Sequence, residues 1–246
     1  MRRAISVTAA SVVMAALLLG TTLTYVTIRG SSDALVLAEV RLERLEHASL
    51  AFELTSRAAV LSYLDSFAAS LGVVVPSDRL SDELRFGAEK SLASLAFGPP
   101  SDISISVGSI EVAANGGAEG TLILEAKLSY SLLDASGDSL NRTYKFEIDH
   151  PMKLLACSSL VSELHEATRR KVLSIVDPSL PALARFNQTV VDQATGIGVT
   201  FVVVAQETGS LKLETSASDS GRLVAFDSSY SYVVRLESTL PVNWHQ

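Results

Sequence analysis

The sequence is poor in cysteine, and Cys157 is the only one among its 246 residues. A single thiol cannot form an internal disulfide, which excludes a disulfide-stabilised scaffold, and its position excludes a lipoprotein lipobox near the N-terminus. The fold must therefore be held together by burial of apolar side chains, and 48% of the residues are hydrophobic. Because Cys157 stands beside Ala156 and near Leu160, we expect a small core residue rather than a reactive thiol.

An excess of basic residues is also absent. Lysine and arginine number 20 against 27 aspartates and glutamates, which gives a net charge of -7 and an isoelectric point near 5.1. The only basic run, Arg169-Arg170-Lys171, lies where a predicted helix ends and complements its macrodipole there. A nucleic-acid partner, which needs a basic patch, is therefore excluded.

Catalytic and ligand-binding motifs are likewise missing. His165-Glu166 begins like the zinc motif HExxH, but Arg169 occupies the position of the second histidine, so we expect His165 to be a surface or helix-face residue. Gly196-Ile197-Gly198 precedes a predicted strand instead of following one, unlike a dinucleotide loop. The remaining histidines lack metal-ligand spacing: they are His47, His150 and His245. The sequence thus predicts no catalytic residue, no metal site and no cofactor, and we expect the protein not to be an enzyme.

Charged residues are absent from a long N-terminal segment. From Ala4 to Ile28 there are 25 residues without a charge, between Arg2-Arg3 and Arg29. As a helix this segment would be about 37 Å long, enough to cross a hydrocarbon core of about 30 Å. It is longer than the apolar region of a cleaved signal peptide, and Gly20-x-Thr22 is a poor cleavage site. We therefore expect a transmembrane helix in preference to a cleaved signal or a buried core helix.

The flanking charges predict an orientation for this helix. Arg2, Arg3 and the terminal amine precede it, whereas mixed charges beginning with Asp33 follow it. The positive-inside rule then places the N-terminus in the cytoplasm and the bulk of the chain outside the cell membrane, as in a single-pass protein. Residues 4–28 would contact the lipid bilayer. The same helix offers a surface for self-association or for other membrane and surface proteins.

Two N-glycosylation sequons occur, Asn141-Arg142-Thr143 and Asn187-Gln188-Thr189. If this part of the chain lies outside the cell, both asparagines are candidate glycan sites. Such triplets also arise by chance in a chain rich in serine and threonine, so both interpretations stay open.

A long helix is predicted over residues 33–71, which contain no glycine or proline. Asp33 is a suitable N-cap and Gly72 a suitable stop. Glu53 and Arg57 are expected to pair on a polar face. Apolar residues at three- and four-residue steps predict a stripe that needs a partner surface: they are Leu50, Leu54, Ala58, Leu61, Leu64, Ala68 and Leu71.

Strands follow a second predicted helix at about 77–97. Apolar and polar residues alternate over 103–107, 122–132 and 144–148, with turns between them. This pattern predicts a three-stranded antiparallel meander with one apolar face.

The remaining chain is predicted to follow the same plan. Helices are expected over about 151–176 and 179–194, and strand patterns return from 197 onwards. Whether this is a true duplication stays open. The predicted fold is α+β, with an N-terminal transmembrane helix, a long helical stem and two units of helix, helix and antiparallel β-meander. The predicted domains are 1–30, 31–150 and 151–246.

The N-terminus resembles a known family. Arg2-Arg3-Ala4-Ile5-Ser6 leads directly into the uncharged segment, which precedes the predicted stem and β-rich head. This arrangement resembles the class III signal region of archaeal type IV pilins and pilin-like surface proteins, over about the first 30 residues. The resemblance implies removal of the leader after Ala4 and packing of the hydrophobic helix in a filament core. The predicted head is large for a major filament subunit, so its size favours a minor or accessory pilin-like protein.

Two functions remain open at this point. The first is a single-pass surface protein with a structural or interaction role, which includes the pilin-like case. The alternative is a tethered extracytoplasmic ligand-binding domain or enzyme with a pocket between helices and sheets.

Overall fold

Three α-helices, one short 3-10 helix (Ala118–Gly120) and eight strands have defined bounds within the described part of the chain. The computed structural model describes residues 14, 18, 34–95, 98, 102–174, 183–206 and 210–241. The helices are α1 (Ala34–Ser70), α2 (Leu80–Ala93) and α3 (Leu154–Leu173). The strands are β1 (Val73–Val74), β2 (Ile103–Gly116), β3 (Leu122–Asp134), β4 (Ser139–His150), β5 (Gln188–Val191), β6 (Gly198–Gln206), β7 (Ser210–Arg222) and β8 (Ser229–Pro241). Helices and antiparallel strands in separate runs confirm the predicted α+β class.

The strands form two sheets. The predicted three-stranded sheet is present with the order β2-β3-β4. The second sheet has five strands in the order β1-β8-β7-β6-β5. From β5 to β8, each strand pairs with the next one in an antiparallel direction. β1 joins the far edge in parallel, with Val73 opposite Val233 and Val74 opposite Val234. Sequence periodicity indicated the antiparallel strands but not this parallel addition.

The prediction of a transmembrane helix is wrong for the residues that the structure describes. No helix among them is long and apolar enough to cross a bilayer. The longest, α1, has 37 residues but carries charged side chains along its length, and these are costly in hydrocarbon. The predicted span, residues 4–28, lies outside the described residues except for Met14 and Leu18. The single-pass membrane localisation is corrected by the same finding.

The predicted helical stem is also wrong. The helix itself exists, but it does not stand apart from a β-rich head. Its buried side chains belong to the cores of the protein, and they recur at three- and four-residue steps: Leu45, Ala48, Phe52, Ser56, Val60, Leu64 and Ala68. Of the predicted apolar stripe, Leu50 and Leu54 are exposed instead.

The second helix predicted in the C-terminal half does not extend to residue 194. Besides α3, Leu183 and Ala184 are helical there, and residues 175–182 lie outside the described part of the chain. Where a helix was predicted up to 194, Thr189, Val190 and Val191 form part of β5 and pair with β6. β-branched side chains favour such an extended, pleated backbone over a helix.

The described residues divide into two compact units whose segments alternate along the chain. The first comprises the described residues up to Arg57, together with Leu95–Ile110 and Lys127–Tyr144. Its core includes Leu45, Phe52, Leu128 and Leu132.

The second unit comprises Ala58–Ser94, Glu111–Ala126 and the described residues from Lys145 onwards. Within it α3 packs against β7 and β8. One cluster of its core buries Val172, Leu183, Val203, Leu211, Leu213 and Leu240, with Phe186 packed against them.

Candidate functional site

One face of α1 exposes two leucines in the first unit. Leu50 and Leu54 lie one turn apart and leave 52% and 58% of their surfaces exposed. Glu43, seven residues before Leu50, and Arg57, three residues after Leu54, are exposed as well. Because residues three, four and seven apart share a helix face, these four side chains and the half-buried His47 between Glu43 and Leu50 form one continuous surface. We call it the leucine face.

The leucines point outward because another side of α1 is committed to the core. Leu45 and Phe52 are buried, and the Phe52 and Tyr130 rings pack with their centroids 4.8 Å apart. The Tyr130 hydroxyl lies 2.6 Å from Ser49 Oγ and donates to Glu53 Oε1 at 2.6 Å. These contacts fix the rotation of α1 and leave the leucine face outside the core of this unit.

The hydrogen bond from Tyr130 also determines the partner of Glu53. Burial raises the pKa of Tyr130 to about 12, and the bond to the Glu53 carboxylate adds to the rise. The phenol is therefore a stable donor at neutral pH. Glu53 accepts this hydrogen bond, and no contact within the described residues supports its predicted pairing with Arg57.

The two charged ends of the leucine face have no ion-pair partner within the described residues. The neighbouring charges of α1 do have partners: Arg41 pairs with Asp138 at 3.6 Å, Arg44 with Asp102, and Glu46 with Arg142 at 3.2 Å. In this part of the chain no comparable contact involves Glu43 or Arg57. The leucine face therefore has an unpaired acid at one end, an unpaired base at the other and leucines between them.

A shallow groove of about 380 Å³ lies in the same unit, on the three-stranded sheet. It is lined by Ser106, Gly108, Ser129, Tyr130, Ser131, Asn141, Arg142 and Thr143. Small side chains on adjacent strands create the space, and Ser129 Oγ lies 3.4 Å from Thr143 Oγ1. The groove offers mainly hydroxyl and amide groups, since the Arg142 guanidinium is paired with Glu46. Such a lining suits a neutral, hydrogen-bonding ligand.

Both sequon asparagines are exposed. Asn141 lies in β4 at the groove, and Asn187 lies directly before β5. Asn187 Oδ1 accepts a hydrogen bond from the Val203 N–H at 2.7 Å, beyond the point where β5 pairs with β6. Glycosylation at either asparagine stays a prediction. Ala4, the predicted processing site, lies outside the described residues.

Sequence reasoning missed a buried pair in the second unit, formed by His150 and Asp65. His150 Nε2 lies 3.0 Å from Asp65 Oδ1, and His150 Nδ1 accepts the Met152 N–H at 3.3 Å. Asp65 also accepts the N–H groups of Val224 at 3.0 Å and Ala225 at 2.5 Å. Every polar side-chain atom of the pair thus has a partner, and the pair accepts hydrogen bonds from three backbone N–H groups. No sequence motif signals it, because the two residues are 85 positions apart.

His165 lies on the buried face of α3 with 4% of its surface exposed, so of the two predicted alternatives the helix-face residue is confirmed and the surface residue is wrong. Its Nδ1 lies 2.9 Å from Thr215 Oγ1 and its Nε2 lies 3.0 Å from Ser238 Oγ. Desolvation lowers the pKa of His165 and outweighs the opposing effect of Glu166. With both ring nitrogens engaged, the neutral imidazole links α3 to β7 and β8.

Cys157 is confirmed as a core residue of the second unit. It is fully buried, and burial followed by the nearby Asp219 charge raises its pKa to about 12. A thiolate is therefore strongly disfavoured at neutral pH, which argues against a reactive cysteine.

Comparison with known proteins adds no relative to this picture. No protein-family model matches the chain, no curated protein matches it and no solved structure matches it. A function has to be argued from the geometry described above.

Proposed function

We propose that this protein has a structural or interaction role and self-associates through the leucine face of α1. The proposal rests on Leu50 and Leu54, which are each more than half exposed on adjacent turns. Moving apolar surface from water into a contact favours association.

A second copy of the chain is the occupant that the charges favour. The leucine face is flanked by Glu43 on one side and Arg57 on the other, so it carries both signs and can complement itself. A partner of one strong charge would meet repulsion at one end of the face. A second copy, turned by a two-fold rotation, meets attraction at both ends.

The association should be reversible. Stable interfaces bury roughly 1,200–2,000 Å² in total, and a face of four side chains provides less. We therefore expect a dimer whose population rises with protein concentration, rather than a permanent one.

Sedimentation velocity of the full chain over a range of concentrations tests this proposal. The double variant Leu50→Glu/Leu54→Glu should sediment as a monomer where the wild type associates, because burying glutamates in the contact is costly. Leu37→Glu is the matched control: Leu37 lies on the same helix with 49% exposure, about 140° around the axis from Leu50. Association that survives the double variant, or a wild type that stays monomeric throughout, would contradict the proposal.

A second candidate, ligand binding, is favoured by the polar groove. Its hydroxyl and amide lining fits a neutral polyol such as a saccharide better than an ion. Nuclear magnetic resonance titration with neutral oligosaccharides should shift the backbone signals of Ser106, Ser129 and Thr143. Gly108→Val, which fills the groove, should abolish those shifts. Equal shifts in both proteins would rule the groove out as the binding site.

Pilin-type processing also remains a proposal, since its residues lie outside the described part of the chain. Mass spectrometry of the mature N-terminus of the natural protein distinguishes the cases. A start at Ile5 supports removal of the leader after Ala4, and an intact Met1 opposes it.

A further inference from the structure

We propose that two copies pair their α1 helices in an antiparallel arrangement, about a two-fold axis that passes between Leu50 and Leu54. This inference rests on the proposed self-association and specifies its geometry. It makes Glu43 and Arg57 the residues that select the orientation.

The starting observation is the order of side chains along the leucine face. Glu43 and Arg57 lie at its ends, on either side of Leu50 and Leu54, and neither has an ion-pair partner within the described residues. The two charges are fourteen positions apart, or about 21 Å along the helix. They therefore cannot pair within one copy.

An antiparallel pairing brings the opposite charges together. With Leu50 packed on Leu54 of the other copy, Arg57 lies level with His47 of that copy. Glu43 of the second copy is then one further turn away, about 6 Å along the axis, which two long side chains can span. The two-fold axis repeats the contact at the other end.

A parallel pairing has the opposite effect. It would place Glu43 beside its own equivalent and Arg57 beside its own equivalent, which adds like-charge repulsion at both ends. The antiparallel arrangement is also isologous, so the same surface is used on both copies and the contact closes as a dimer. This face alone would not build an open filament.

Charge reversal in the full chain tests the geometry. Arg57→Glu and Glu43→Arg should each weaken dimerisation roughly tenfold, because each replaces attraction by repulsion at two symmetry-related places. The double variant Glu43→Arg/Arg57→Glu should return to within about twofold of the wild type, since the swapped charges again face each other. Both residues are exposed, so the variants should fold, and circular dichroism confirms this before sedimentation.

The outcomes separate this geometry from the broader proposal. If the wild type dimerises and the leucine variant does not, but the charge swap fails to restore affinity, the antiparallel arrangement is overturned and self-association stands. The same holds if a single reversal strengthens the dimer. A wild type that never associates overturns both. Restoration by the double swap supports the antiparallel pair, because the two positions are too far apart to compensate within one chain.

Discussion

At the scale of single residues, the buried polar groups act as connectors. His165 bonds Thr215 and Ser238 through its two ring nitrogens, and His150 bonds Asp65 and the Met152 backbone. Each ring nitrogen of these two histidines has a partner, which offsets the free-energy cost of removing it from water. The sequence offered only the residue types, since the partners come from distant segments of the chain.

The lowered pKa of His165 predicts a dependence of stability on pH. In the unfolded chain a histidine titrates near 6.5, whereas burial keeps the folded imidazole neutral to a lower pH. Between those two values the unfolded state binds more protons, so stability falls as the pH falls below about 6.5. The loss levels off once the pH is below the folded pKa. We expect the melting temperature of the wild type to drop more between pH 7.5 and pH 5 than that of His165→Gln. Equal pH slopes in thermal melts of the two proteins would contradict this.

The two sequon asparagines should differ in their effect on stability. Asn187→Ala removes the acceptor of the Val203 N–H and should lower the free energy of unfolding by about 1 kcal/mol. Asn141→Ala changes only an exposed side chain of β4 and should have an effect within about 0.5 kcal/mol. Urea unfolding of the unglycosylated variants measures both. Equal losses would indicate that the Asn187 contact contributes no stability.

At the scale of elements, α1 illustrates what periodicity predicts well and what it does not. Its existence followed from a long segment without glycine or proline, and its bounds were predicted within one residue. Its buried face did not follow, because apolar residues lie on more than one side of it. Leu50 and Phe52 are both apolar, but Phe52 packs against Tyr130 in the core whereas Leu50 is exposed.

The two sides of α1 should respond differently to truncation. Phe52→Ala removes a side chain with 3% exposure and should cost about 3–5 kcal/mol in unfolding free energy. Leu54→Ala, at 58% exposure, should change the monomer by no more than about 0.5 kcal/mol. Urea denaturation, at a protein concentration too low for association, measures the unfolding free energy of both variants. A larger loss for Leu54→Ala would mean that the burial pattern of α1 is wrong.

At the scale of the whole molecule, alternation of apolar residues was sufficient to predict the class and most of the antiparallel strands. It was insufficient where a tertiary contact decides the outcome. β5 forms where a helix was predicted because β6 offers it a pairing partner, and β1 is a strand only because β8 lies beside it. The leucine face was missed for the same reason, since exposure is a property of what remains uncovered after the cores form.

The core of the second unit provides a probe of its own unfolding. Cys157 is fully buried and its pKa is raised to about 12, so a thiol reagent should not label the folded protein within the time that labels the chain in urea. Because no other cysteine is present, the labelling rate reports the opening of this core alone. Rapid labelling under native conditions would mean that the core around α3 opens frequently.

The parallel contact between β1 and β8 has a consequence for biosynthesis. Val73 and Val74 leave the ribosome about 160 residues before their partners Val233 and Val234. That border of the five-stranded sheet must stay unfilled until β8 has been made, and strand pairing across so long a stretch of chain is slow to form. A nascent polypeptide halted before β8 would therefore expose an unpaired strand edge, which is the kind of surface that chaperones shield.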